Sequence, residues 1–305
     1  MTETEIRAAA FNWIREQFDL HGGAIPHNVL MQGFSLQGER ITVIGPAGIW
    51  KPKQFEIMPL SITTSISGPY DDSFTDDGLL VYRYRGTDPN HRDNVGLREA
   101  MRTRTPLIYF HGLSNGRYVP VWPVTIIKDS PKELCCWVAI DPAYALGTAA
   151  DKMGIGLGSY SNDSAIGIRK YVAAQTLRRL HQTAFRENVI QAYSSRCTLC
   201  NLKHRELLDA AHILPDMHPK GDPIVQNGLC LCKIHHAAFD NNIVGISPEY
   251  RVHVSAQVLK EIDGPMLQHG LQELHNNQLI VPTRKKDWPD PERLEIRFKE
   301  FQLSG

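Results

Sequence analysis

Net charge is what this chain lacks first: Lys and Arg total 33, Asp and Glu total 33, and the formal balance is zero. No global field therefore draws it to a polyanion, and binding to nucleic acid has to come from local patches. It also lacks a long apolar run, and it opens on the acidic stretch MTETE. Both features argue against a signal peptide and against a membrane span. Cysteine is scarce, with six in 305 residues, four of them between positions 197 and 232. So uneven a set does not make a disulfide framework, and a reduced, cytoplasmic chain is expected. No internal repeat or low-complexity tract is present, and the length predicts two domains, each able to bury its own core.

What chemistry there is concentrates between Cys197 and Asn242. Cys197 and Cys200 form a C-x-x-C knuckle, and Cys232 and His235 repeat the same two-residue gap. That spacing suits one tetrahedral Zn2+ held by three thiolates and one imidazole. Cys230 competes for the site, but in an extended GLCLC it points to the face opposite Cys232, so only one of them reaches the metal. Cys232 is the favoured ligand.

A second set overlaps the first: His212, Asn227 and His236, spaced H-x14-N-x8-H, with Asp240 one helical turn beyond His236. If KIHHAAFDNN opens a helix, His236 and Asp240 share a face and can grip one divalent cation. His212, in the extended run AAHIL, would face that cation from a strand. Hydrolysis of a phosphodiester needs a base to activate water and a cation to neutralise charge on the phosphate. An imidazole titrating near neutrality suits the first role.

The two runs DAAHILP and NGLCLCKIHHAAFD resemble the zinc-containing branch of the HNH nucleases, whose active site is a ββα-metal fold. The resemblance implies that His212 is the general base and that Asn227 buttresses the turn and orients it. It implies that His236 and Asp240 hold the catalytic ion, Mg2+ or Mn2+, and that the products are a 5′-phosphate and a 3′-hydroxyl. Many relatives carry a His or Asp ligand immediately before the base histidine, where this chain has Ala211; Asp209, two residues earlier, is the candidate substitute.

Upstream, apolar residues at helical spacing predict a helix over residues 4–18, and ERITVIG, PLSITTSIS, LLVYRYRG, PLIYFHG and YVPVWPV read as short strands around a helical NVGLREAMRT. Frequent short strands with turn residues between them suggest a β-barrel with few helices. The motifs GPYDD, YRYRG and HRDN, the last just before LREA, resemble the SRA (YDG) domain, a PUA-like barrel that reads 5-methylcytosine by flipping the base out of the duplex. By that resemblance Tyr70 and Tyr84 sandwich the base, Asp71 or Asp72 accepts from its amino group, and Arg85 and Asn94 complete the modified-base site. Arg85 stands where the animal domains carry threonine, so 5-methyl-, 5-hydroxymethyl- or an otherwise substituted cytosine is the expected ligand. For Tyr82 strand packing is the preferred reading.

Residues 141–168 are rich in Gly, Ala and Ser without a sustained period, and helical periodicity resumes at 169–193. Between 169 and 205 stand Arg169, Lys170, Arg178, Arg179, Arg186, Arg196, Lys203 and Arg205 against Glu187 alone, a local excess suited to a DNA backbone. The fold class expected is α+β: an SRA-like domain over residues 1–150, a linker over 151–175 and an HNH nuclease domain with structural zinc over 176–305. The function expected is a modification-dependent restriction endonuclease acting on double-stranded modified DNA, with no membrane partner. A duplex break needs two strand cuts, which a homodimer would supply. Two alternatives stand beside it: a non-cleaving reader whose zinc knuckle only stabilises the fold, and an HNH nuclease sensing another modification such as phosphorothioate.

Overall fold

Thr2 starts the first helix, α1 (Glu3–Leu20), through a reciprocal capping box: its hydroxyl accepts the Glu5 N–H at 3.2 Å and the Glu5 carboxylate accepts the Thr2 N–H at 2.7 Å. Ile6, Ala10 and Ile14, four residues apart, lie on one stripe and are fully buried. They pack with Ile25, Leu30, Ile41, Val43, Ile108 and Phe110 in one core. This computed structural model describes residues 1–65, 73–75, 78–113, 116–140 and 162–304. It divides into two units, Met1–Leu180 and His181–Gly305.

In the first unit the elements after α1 are β1 (Ile25–Pro26), α2 (His27–Gln32), β2 (Phe34–Leu36), β3 (Glu39–Ile41), β4 (Ile49–Trp50), β5 (Ser61–Thr64), β6 (Ser73–Phe74), β7 (Leu80–Arg83), α3 (Arg92–Arg102), β8 (Leu107–Gly112), β9 (Arg117–Ser130) and β10 (Cys135–Ile140). One sheet runs β4-β5-β8-β9-β10-β7-β6, with β1 on β9 and β2-β3 as a separate hairpin. β5 and β8 are parallel, and the other pairs in this unit are antiparallel. β9 pairs with β8 from Tyr118 to Val124 and with β10 from Val124 to Ser130, so it carries the chain from one half of the sheet into the other.

The class is α+β, but the expected barrel does not close among the described residues. The sheet is open from β4 to β6. Both ends are strands of two residues, and closure needs edges long enough to share a staggered ladder. The linker expected at 151–175 divides: 151–161 lie outside the described residues, and 162–175 are helical.

That helix, α4 (Asn162–Ala192), leads into β11 (Leu208–His212), β12 (Gly228–Cys232) and α5 (Lys233–Asp240), followed by β13 (Val244–Ile246), β14 (Val252–Val254), α6 (Pro265–Gly270) and α7 (Pro291–Ser304). β11 and β12 are antiparallel, with His212 opposite Gly228 and Leu208 opposite Cys232. Phe185, Val189 and Ile190 of α4, with Tyr193 just beyond it, share a core with Ala211, Leu214, Leu229, Leu231 and Phe239, so the ββα element is packed on that helix. Opposite His212 only glycine fits: a Cβ on Gly228 would lie 2.4 Å from Val189 Cγ2 and 3.0 Å from Phe185 Cζ. Gly228→Ala is expected to lower stability by about 1–3 kcal/mol through overpacking, read from the denaturation midpoint. An unchanged midpoint would show that the two side chains yield freely.

Candidate active site and metal centre

Cys197 and Cys200 lie on a turn closed by the Asn201 N–H to the Cys197 carbonyl at 2.9 Å and the Cys197 N–H to the Leu202 carbonyl at 3.0 Å. Cys232 ends β12 and caps α5, and His235 sits in that helix's first turn. The three sulfurs and one ring nitrogen all fall within 4.8 Å of one another. His235 Nδ1 is 3.4 Å from Cys197 Sγ and 3.2 Å from Cys232 Sγ. His235 Nε2 lies 2.7 Å from the Gly270 carbonyl. A bond from Nε2–H to that carbonyl would leave Nδ1 as the ligand, the usual outer support of a metal-bound histidine. Metal–sulfur bonds of about 2.3 Å and metal–nitrogen bonds of about 2.0–2.1 Å put tetrahedral donors roughly 3.5–3.8 Å apart. The cluster fits that geometry and its donor set suits zinc. Cys230 is elsewhere, fully buried among apolar residues, and burial pushes its thiol up to about 12.

At the end of β11 the His212 imidazole stacks on Phe185, ring centroids 4.0 Å apart and planes 15° from parallel. Its Nε2 is buried, 3.0 Å from Asp216 Oδ1 but not in hydrogen-bonding alignment. Burial holds the His212 imidazole below the ordinary histidine range, against the opposing pull of Asp216. Asn227, fully buried, clamps the chain just beyond His212: Oδ1 accepts the Leu214 N–H at 3.0 Å, and Nδ2 donates to the carbonyls of Leu214 at 2.9 Å and Asp222 at 3.1 Å. Its own carbonyl accepts the Ile213 N–H at 2.9 Å.

His236 faces the same region from α5. Its Nδ1 is 3.7 Å from Asp209 Oδ2 and its Nε2 is 3.4 Å from Asp240 Oδ2. Bonding to Asp209 raises the His236 pKa although burial opposes it. Burial pushes the Asp209 carboxyl up, yet His236, the Ala210 N–H and Arg186 together hold it below its ordinary value. The carboxylates thus sit at opposite nitrogens of one ring. Among the described residues, the one set of three or more such donors within 4.8 Å of each other is the Cys3His cluster. Ala211 is fully buried in the core, so no donor reaches the site from that position.

The residues expected to read a base are placed differently. Tyr70, Asp71 and Asp72 lie outside the described residues. Tyr84 is 1% exposed, its hydroxyl bonded to Asp129 and accepting from Arg98 Nη1 at 3.3 Å. Burial pushes that phenol up to about 12. Stacking a base requires an open ring face, so Tyr84 is corrected to a core residue, drawn in by its polar partners. Asn94 is helical and fully buried; it binds both backbone groups of Arg85, at 2.9 and 3.0 Å, and donates to the Asp88 carbonyl at 2.8 Å. Its polar edge is taken up by the loop it holds. The Arg85 guanidinium, half-exposed, pairs with Asp93 at 2.6 Å. Tyr82, as expected for strand packing, is buried, with its hydroxyl donating to the Gly48 carbonyl at 2.9 Å.

Residues 197–247, which hold both clusters, match the family model described as HNH endonuclease. The chain carries an HNH endonuclease domain. It is an enzyme, a DNA endonuclease. Among solved structures the chain is similar to a modification dependent TagI restriction endonuclease, at 16% identity over 80% of this chain and 81% of that one, with a TM-score of 0.27. It is also similar to the Type IV phosphorothioation-dependent restriction endonuclease ScoMcrA, at 14% identity over 70% of this chain and 53% of that one, with a TM-score of 0.25. No curated protein matches the chain in sequence.

Three residues beside the HNH site escaped the sequence reading. Phe185 was legible only as one more apolar position of a helical stripe, and Asp216 falls in a loop that no periodicity marks. Glu187 did leave a signal, as the lone anion among eight cations, and it is fully buried between Arg186 and Arg205. Two of the basic residues are therefore engaged inside the domain, while Lys170, Arg178, Arg179, Arg196 and Lys203 are exposed. Among the described residues no helix is long and apolar enough to cross a membrane.

Proposed function

We propose that the chain is a modification-dependent restriction endonuclease whose N-terminal unit inspects duplex DNA for modified cytosine and whose HNH domain hydrolyses a phosphodiester nearby. One observation carries the nuclease half. His212, the turn clamped by Asn227, and the pair His236 and Asp240 lie on one ββα element that also holds a separate Cys3His cluster.

In this reading Cys197, Cys200, Cys232 and His235 hold a structural Zn2+. His236 Nε2 and Asp240 Oδ2, 3.4 Å apart on one helix face, would hold a Mg2+ or Mn2+. When bound, that ion supplies charge neutralisation at the scissile phosphate. His212, stacked on Phe185 and with its pKa held down by burial, takes the proton of the attacking water. Asn227 fixes the backbone at Leu214 and so the direction in which the imidazole points.

The reading half rests on the GPYDD pattern. With Tyr84 in the core, base recognition falls to Tyr70, Asp71 and Asp72. His212, Asn227 and His236 together favour the nuclease over a non-cleaving reader, which could lose any of the three freely.

The test is digestion of matched plasmids carrying unmodified, 5-methyl- or 5-hydroxymethylcytosine, or phosphorothioate linkages, with and without Mg2+ or Mn2+. Fragments are expected only from a cytosine-modified plasmid with divalent ion present. Equal cutting of the unmodified plasmid would remove modification dependence, and cutting of the phosphorothioate plasmid alone would replace the base with the backbone as the feature read.

A further inference from the structure

A row of charged side chains runs into the active site from outside the matched 197–247 segment. Glu187, on α4, is fully buried; a carboxylate is tolerated there only when paired. Its Oε1 lies 3.2 Å from Arg186 Nη1, and its Oε2 bonds Arg205 Nη2. Arg186, so anchored, donates from Nε to Asp209 Oδ1 at 3.1 Å and from Nη2 to the Leu208 carbonyl at 2.8 Å, both acceptors on β11. Asp209 Oδ1 also accepts the Ala210 N–H at 2.9 Å. With two donors on Oδ1, Oδ2 is the oxygen turned to His236 Nδ1, 3.7 Å away.

We infer that Asp209 is a positioning residue and not an ion ligand: it accepts from His236 Nδ1–H, which leaves the Nε2 lone pair facing Asp240 and the divalent ion, and Arg186 holds Asp209 in that register. The inference rests on the nuclease reading of His236 and Asp240. It replaces the expectation that Asp209 supplies the ligand missing at Ala211, because a carboxylate at Nδ1 is on the wrong side of the ring from Asp240. A contact of 3.7 Å is the loose form in which such hydrogen bonds often stand before the ligand binds. Arginine is required at 186 because a planar fork reaches a carboxylate and a carbonyl at once, which a lysine ammonium on a flexible stem does not.

The test uses full-length protein labelled with ¹⁵N-histidine. Long-range ¹H–¹⁵N spectra without added Mg2+ or Mn2+ report which nitrogen of His236 carries the proton, and calorimetry with Mn2+ reports affinity. Wild type is expected to show Nδ1–H. Arg186→Lys and Asp209→Ala should each mix in the Nε2–H form and weaken Mn2+ binding about tenfold, as loss of an outer-shell partner does. The double variant should lose little more than one single variant, because both act through one contact. One zinc per chain in each variant shows that the domain remains folded. Should Arg186→Lys disturb Glu187 and unfold the domain, Asp209→Ala leaves those ion pairs intact and decides alone. An Nε2–H tautomer in wild type, or Asp209→Ala abolishing Mn2+ binding with the tautomer unchanged, would overturn the inference. Failure of the nuclease reading looks different: the Nδ1–H tautomer present, and no plasmid cut.

Discussion

His212→Ala is expected to slow DNA cleavage by about 10²–10⁴-fold, the usual contribution of a positioned general base, while duplex binding stays near that of wild type. The imidazole stands at the end of β11, packed face-on against Phe185, so its removal leaves the strand pairing and the Asn227 clamp in place. Binding should hold because exposed cations such as Arg178, Arg179 and Arg196 are untouched. Single-turnover cleavage with Mg2+ or Mn2+ measures the first quantity and a gel-shift titration the second. Cleavage by the alanine variant at the wild-type rate would mean that another group activates the water.

With zinc in the Cys3His cluster, as proposed, its removal by a strong chelator or by Cys232→Ser is expected to unfold the HNH domain. Structural zinc contributes about 10–16 kcal/mol in small zinc modules, comparable with or larger than the roughly 5–15 kcal/mol that separates a folded domain from its unfolded state. The dependence is topological. The knuckle, the end of β12 and the start of α5 meet at these four side chains, and β11 and β12 have only five residues each. Hydrogen exchange over residues 208–240, together with metal content, measures the effect. Cys230→Ala is the control, since Cys230 lies outside the donor set; it should keep one zinc per chain and protected strands. A zinc-free protein with unchanged protection would show that packing alone holds the ββα element.

Both predictions follow from features legible in the chain before any coordinates. The C-x-x-C gap, the matching Cys232 and His235, and the step of four from His236 to Asp240 are short-range patterns, and backbone geometry converts each directly into proximity. The same holds for α1, whose apolar stripe marks it as a helix. Legibility failed where a residue's role depends on what lies across from it. The SRA resemblance makes Tyr84 a stacking platform, yet Asp129 and Arg98, 45 and 14 positions away, take its hydroxyl into the interior. Asn94, expected by resemblance in the modified-base site, is instead a clamp on Arg85 and Asp88, hydrogen-bonded in the same manner as Asn227 on Leu214 and Asp222. The barrel suggested by many short strands is an open sheet among the described residues, because strand count carries no information about whether the outermost edges are long enough to meet.

By itself the sequence determined which side chains of the C-terminal unit can come together: the donors of the Cys3His cluster and the helix face that carries His236 and Asp240; it also singled out His212, the residue we propose as the base. Tertiary structure alone decided what surrounds them. It placed Phe185 under the His212 ring, set Asp216 3.0 Å from that ring, and set buried Glu187 behind Arg186, which donates to one oxygen of Asp209 while the other lies 3.7 Å from His236. The reason is the range of the interactions. Ligand spacing within a turn or helix is a property of adjacent residues, whereas stacking, burial and charge pairing are set by elements that meet only once the chain has folded.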